Sequence, residues 1–137
     1  MFQIALPAPI GGGGGGRNFP YAFKAGGTLP DFTAVNQEQS VNTGLSEIKY
    51  IYVKGITPNG NIRGQAWFDA NRSAAKQVAA YTSTGGTTAV NSGTNAAGII
   101  TANGAQIKIS GISGGTITIK DGNNATYVYK NVEWYAG

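Results

Sequence analysis

The chain has 137 residues, 22 of them glycine, and its ten Lys and Arg against six Asp and Glu leave a net charge of +4. Histidine and cysteine are absent. That excludes Ser-His-Asp and Cys-His nucleophile systems, zinc held by imidazole or thiolate, and any disulfide. An average composition would supply only about ten glycines at this length, and one domain is the natural count.

The six carboxylates, Asp31, Glu38, Glu47, Asp69, Asp121 and Glu133, are scattered singly. No pair suggests an acid–base dyad, so a binding or structural role is expected rather than an enzyme, with no cofactor and no metal. The basic residues run from Arg17 to Lys130 without a cluster. Nucleic-acid binders gather such residues on one face or in a short run, so no specific nucleic-acid partner is expected. Residues 1–10 have no basic start, and Pro7 and Pro9 interrupt their apolar stretch, so no targeting signal is expected there. No stretch approaches the roughly 18 apolar residues of a membrane span.

Residues 1–31 read as an extended arm. Pro7, Pro9, Pro20 and Pro30 fix φ and remove donors, and Gly11 to Gly16 is an unbroken glycine run. Ordering such a run costs more backbone entropy than any other composition. It is not a phosphate loop, because no Gly-Lys-Ser/Thr follows it. Phe2, Ile4, Leu6, Ile10, Phe19, Tyr21 and Phe23 give the arm an apolar load unusual for a linker. We read it as an arm that docks on neighbouring subunits, with Arg17 and Phe19 as the anchors; the competing reading folds it back over its own sheet edge.

From residue 32 the pattern becomes β, and 32–137 is expected to form one sandwich domain. Residues 47–54 (EIKYIYVK) are the clearest strand, with faces Ile48/Tyr50/Tyr52 and Lys49/Ile51/Val53 both partly buried. Pro58-Asn59-Gly60 is a turn signal, and residues 61–68 follow as a second strand. Residues 70–82 have some helical propensity but are read as extended in their β context. Residues 77–107 carry no charge, and 82–98 are read as a long polar loop or irregular edge. Residues 106–110, 116–120 and 125–134 are three further strands, separated by turn chemistry at 111–115 and 121–124. Ile99-Ile100 adds one more short candidate. The total is seven or eight short strands, an all-β sandwich or jelly roll.

Asp121-Gly-Asn-Asn124 lacks the spaced oxygen ligands of a calcium loop and reads as a hairpin turn. Asn71-Arg-Ser73 and Asn124-Ala-Thr126 match the glycosylation pattern but mean little without a secretory signal. Trp67, Tyr81 and Trp134, with Tyr127, Tyr129 and Tyr135, are candidate ligand-stacking aromatics. The competing reading places such strand aromatics in the core.

The segments Gly44-Leu-Ser-Glu-Ile-Lys-Tyr-Ile-Tyr-Val53 and Tyr127-Val-Tyr-Lys-Asn-Val132 resemble small virion proteins of bacteriophages. The layout is similar to single jelly-roll vertex (penton) and minor capsid proteins of tailless, membrane-containing icosahedral phages. There a polar extended arm leads into an Ile-x-x-Ile-Tyr-Ile/Val strand, and the chain ends in an apolar strand. The Asp-Asn that follows the first strand in that family is Lys54-Gly55 here. The resemblance implies a structural subunit of a virion, made in the host cytoplasm, partnered by other capsid proteins and by copies of itself. The alternative is a carbohydrate- or receptor-binding β module using Trp67, Tyr81 or Trp134. A single-strand nucleic-acid barrel, marked by strongly salt-dependent binding, is the third reading.

Overall fold

A computed structural model of the chain describes residues 23–56, 63–72, 76–83, 86–90, 107–122 and 128–137, with 56, 63, 78, 80–83 and 86–90 described for the backbone alone. The described residues form nine strands and no helix. These are β1 Ala25–Thr28, β2 Glu38–Asn42, β3 Tyr50–Ile56, β4 Arg63–Asp69, β5 Gln77–Ser83, β6 Gly86–Val90, β7 Ile107–Ser113, β8 Thr116–Asp121 and β9 Lys130–Ala136. They make two antiparallel sheets, a six-stranded one in the order β1-β9-β3-β4-β5-β6 and a three-stranded one in the order β2-β8-β7. The protein is an all-β sandwich.

Period-2 alternation decides what lies between the sheets. Ile51 and Val53 of β3, Ala66 and Phe68 of β4, Ala79 of β5, and Val132, Trp134 and Ala136 of β9 face inward from the large sheet. Ile107, Ile109, Ile117 and Ile119 meet them from the small sheet. Each fully buried aliphatic chain of this kind contributes roughly 1.5–3 kcal/mol. The first and last strands pair in a nested way, β1 with β9 and β2 with β8, as in a jelly-roll wrap. The middle strands β3 to β6 instead run as a meander within one sheet.

The alternation slips once on β9, with consequence. Between Lys54 and Ile56 the β3–β9 register shifts, and Asn131 takes φ 51°, a left-handed value that Asn tolerates better than most residues. Its amide donates to Asp31 Oδ1 at 3.0 Å. The extra residue of this bulge lets both Val132 and Tyr129 point into the core, although an unbroken strand would turn Tyr129 outward. The Tyr129 ring then lies over the cross-strand pair Gly55 and Gly64.

Two expectations need correction, and a third strand had no specific expectation. The sandwich begins before residue 32: Lys24 donates to Ala136, Leu29 to Val132 and Phe32 to Tyr129, so residues 24–32 run antiparallel along β9. The Gly26-Gly27 pair that looks like linker is a strand because β9 supplies its missing side chains. The Tyr135 ring packs on Gly26, and the Trp134 ring packs on Gly27 from the opposite face. Second, Gly86–Val90 within the supposed polar loop is a strand, paired with Ala79–Ser83. Third, Glu38–Asn42, with no apolar alternation to announce it, pairs with β8. The tight turn expected at 111–115 narrows to Gly114-Gly115, with Gly114 at φ 57°. Ile99-Ile100 and the Asn124 pattern lie outside the described residues, as do Phe2, Ile4, Leu6, Ile10, Arg17, Phe19 and Tyr21.

Candidate functional site

Strand alternation that sends Ile51, Val53, Ala66 and Phe68 inward must send their neighbours outward. On the face of the large sheet turned away from the small one, the register sets Tyr52 between Trp67 and Tyr135. One step along, Lys54 lies between Gln65 and Glu133. Phe23, just before β1, completes the group. Its ring centroid is 5.8 Å from that of Tyr50 in an edge-on contact and 5.7 Å from that of Tyr135. Tyr52 and Tyr135 stack at 6.4 Å. Aromatic pairs at these distances contribute about 0.5–1.5 kcal/mol beyond the area they bury.

A short polar ladder borders the rings. Tyr135 Oη donates to Glu133 Oε1 at 2.5 Å, and Tyr52 Oη donates to Gln65 Oε1 at 3.1 Å. Lys54 Nζ lies 3.9 Å from Glu133 Oε1, a partly exposed pair worth no more than about 1 kcal/mol. Burial, together with the nearby Glu133 charge and Tyr135, pushes the Tyr52 phenol far above its ordinary range. Burial and then the Glu133 carboxylate, as hydrogen-bond acceptor and as charge, push Tyr135 up to about 12. Both phenols stay protonated at neutral pH. Both hydroxyl protons are committed within the face, which therefore presents partly exposed rings bordered by the Lys54–Glu133 pair.

The candidate stacking residues divide differently from expectation. Trp134 is 7% exposed, packed inward over Gly27, and Tyr129 is buried over the glycine pair. Neither ring has a face free for a ligand. Trp67 belongs to the outward face by register, yet it is 0% exposed, so it too has no open ring face. Tyr81 pairs with Gly64 through its backbone, and its side chain is outside the described residues, as is Tyr127. Among the described residues, the rings that remain partly exposed are Phe23, Tyr50 and Tyr135. Phe23 and Tyr50 were not singled out as site residues, although the spacing Tyr50-x-Tyr52 opposite Tyr135 carries the signal once β3 and β9 are known to be neighbours.

Asp121 is the other polar group of note. It ends β8, is buried, and its Oδ2 accepts a hydrogen bond from the Tyr129 amide at 2.9 Å. Burial raises its carboxyl to about 6, against the opposing effect of that bond. It pins the start of the last strand and lies on the opposite side of the large sheet from the aromatic face. Among the described residues, no three acidic side chains converge to hold a metal ion. No protein-family model, curated protein or solved structure matches this chain.

Proposed function

We propose that this protein is a non-enzymatic structural subunit of a bacteriophage particle, a minor capsid, vertex or decoration component whose N-terminal arm docks on neighbouring subunits. The observation that carries the reading is where the arm enters the sandwich. Phe23, the residue that joins it to β1, is wedged between Tyr50 and Tyr135 on the outward aromatic face, and the core lies on the other side of the sheet. A ring joined to the apolar segment and seated on such a face supports a reading in which the arm makes contacts between subunits. The sparse charge of the chain keeps the desolvation penalty of large contacts low. A rigid sandwich with an arm that orders on assembly defers its entropy cost until neighbours compensate it.

Deleting residues 2–19 tests the reading. The truncated chain should retain the far-ultraviolet signature of a folded β domain and fail to enter particles. Normal incorporation of the truncated chain defeats the assignment. The half-exposed Phe23, Tyr50 and Tyr135 rings beside Lys54 and Glu133 favour a second reading, a carbohydrate- or receptor-binding β module. A glycan array separates the two, since an architectural subunit shows no saccharide preference.

A further inference from the structure

The edge of a sheet offers a row of backbone amides and carbonyls to any strand able to pair with it. Two of the edges whose side chains are described are guarded. Strand β1 has only four residues, with the exposed Lys24 just before it and Pro30 soon after it. Strand β7 carries a register shift between Ile109 and Gly111, and Gln77 occupies the backbone of Ile109. The third is β2. Its five residues contain no proline, glycine or register shift, and among the described residues it pairs with β8 alone.

Two hydrogen bonds that flank β2 fix which way its backbone points. The Thr43 amide donates to the Gly115 carbonyl at 2.8 Å, and the Asp121 amide donates to the Gln37 carbonyl at 3.0 Å. Residues 37 and 43 therefore face β8, and by the alternation of an antiparallel ladder so do Gln39 and Val41. The amides and carbonyls of Glu38, Ser40 and Asn42 point the other way, out of the edge. These three are also the exposed residues of the strand. Side chains hold the edge in place: Gln39 Nε2 donates to the Pro30 carbonyl at 2.9 Å, Ser40 Oγ and Thr118 Oγ1 share a hydrogen bond at 2.8 Å, and Ser110 Oγ donates to Glu38 Oε2 at 2.8 Å.

We infer that β2 is the strand by which two copies of this chain associate, pairing antiparallel across a two-fold axis at Ser40 and joining their small sheets into one continuous sheet. A second copy is the occupant because the strand complements itself. In this register Ser40 meets Ser40 of the partner subunit and Glu38 meets Asn42 of the partner subunit. All the outward amides and carbonyls of the strand then find partners, and no like charges meet. Moving the axis towards residue 38 engages Asn36, at φ 67°, and moving it towards residue 42 engages Gly44, at φ 80°. Neither conformation is extended, so each shift forfeits ladder bonds. An axis at Glu38 itself also sets two carboxylates opposite each other, which is destabilising.

The chain has no cysteine, so single cysteines report the register in the full-length protein. Oxidised Ser40→Cys should run as a covalent dimer on a non-reducing gel, since paired Cα atoms lie about 5.5 Å apart, within disulfide range. Asn42→Cys should not, because its counterpart lies roughly 14 Å along the strand. Analytical ultracentrifugation of the unaltered protein should show a concentration-dependent dimer. Ser40→Pro, its fold checked by circular dichroism, removes the outward amide and leaves the pairing with β8. Symmetry takes two hydrogen bonds away at once, so association should weaken about tenfold or more. Ser40→Ala loses the hydroxyl but keeps the amide, and should associate as the wild type does. A protein that stays monomeric up to millimolar concentration overturns the proposal. So does a dimer that Ser40→Pro weakens no more than Ser40→Ala, or cross-linking of Asn42→Cys as readily as of Ser40→Cys. If Ser40→Pro misfolds, the two cysteine variants decide. The readout is self-association, so the proposal stands or falls separately from the arm and from the virion reading.

Discussion

The side-chain amide of Gln77 on β5 forms a two-way bridge to the backbone of Ile109 on β7: Nε2 donates to the Ile109 carbonyl and Oε1 accepts from the Ile109 amide, each at 2.9 Å. Strand β7 is an edge of the small sheet, and next to Ile109 its ladder with β8 is interrupted by a register shift. Gln77 thus does what a neighbouring strand would do for one residue, and it does so from the other sheet. The bridge blunts an edge that could recruit another chain and fixes the offset between the two layers.

Replacing Gln77 by Leu keeps the volume and removes both partners of Ile109. With two buried backbone groups left unsatisfied, the loss should be about 2–4 kcal/mol, read from urea denaturation midpoints. A loss under about 0.5 kcal/mol would mean that water takes over the role of the amide and that the bridge contributes nothing net.

Gly64 faces the core, where an added Cβ would come within 2.9 Å of Ile107 Cγ2 and 2.8 Å of the Tyr129 ring. Alanine normally stabilises a strand relative to glycine, so the sign of the effect is informative. Gly64→Ala should destabilise by about 1–3 kcal/mol through overpacking. Combined with Tyr129→Leu, the total loss should be smaller than the sum of the single losses by more than about 0.5 kcal/mol, because the ring is the obstacle. Strict additivity in a double-mutant cycle would contradict the packing described.

Asp121 makes stability depend on pH in an unusual direction. Its folded carboxyl titrates near 6 against 3.8 when unperturbed, so the folded state holds the proton more tightly. Its contribution is complete below pH 3.8 and is lost as pH rises through about 6. The gap corresponds to at most about 3 kcal/mol. Asp121→Asn mimics the protonated acid and still accepts from the Tyr129 amide. The stability of the wild-type protein relative to this variant should therefore fall between pH 4 and pH 6.5, and a constant difference across that window would refute the assignment.

At high pH the outward face titrates. Tyr135 ionises near 12 and Tyr52 higher still, against 10.0 in the unfolded chain. Each raised acid contributes stability that is present below pH 10 and is lost as pH climbs through the folded value. Alkaline unfolding should move to higher pH in a Tyr52→Phe/Tyr135→Phe double variant, followed by circular dichroism. An unchanged midpoint would show that other groups control it.

Local pattern and tertiary context divided the work unevenly. The all-β class, the inward Ile51 and Val53, and the strands near 63–69, 107–113 and 116–121 follow from β-branched and aromatic alternation between glycine-rich turns, a signal carried within each segment. Strand β1 was illegible because Gly26 and Gly27 have no side chains, and their partners Tyr135 and Trp134 lie more than a hundred positions away. Strands β2 and β6 lack apolar alternation and exist through pairing with β8 and β5. The aromatic face was hidden for a related reason: Tyr50, Tyr52, Trp67 and Tyr135 become neighbours only when β9 inserts between β1 and β3. Composition alone settled the absence of histidine and cysteine chemistry, because no fold supplies a side chain that the chain does not encode. Whether a given ring is core or surface was left to long-range pairing, since alternation says that two faces exist and only the packed layers decide which of them is covered.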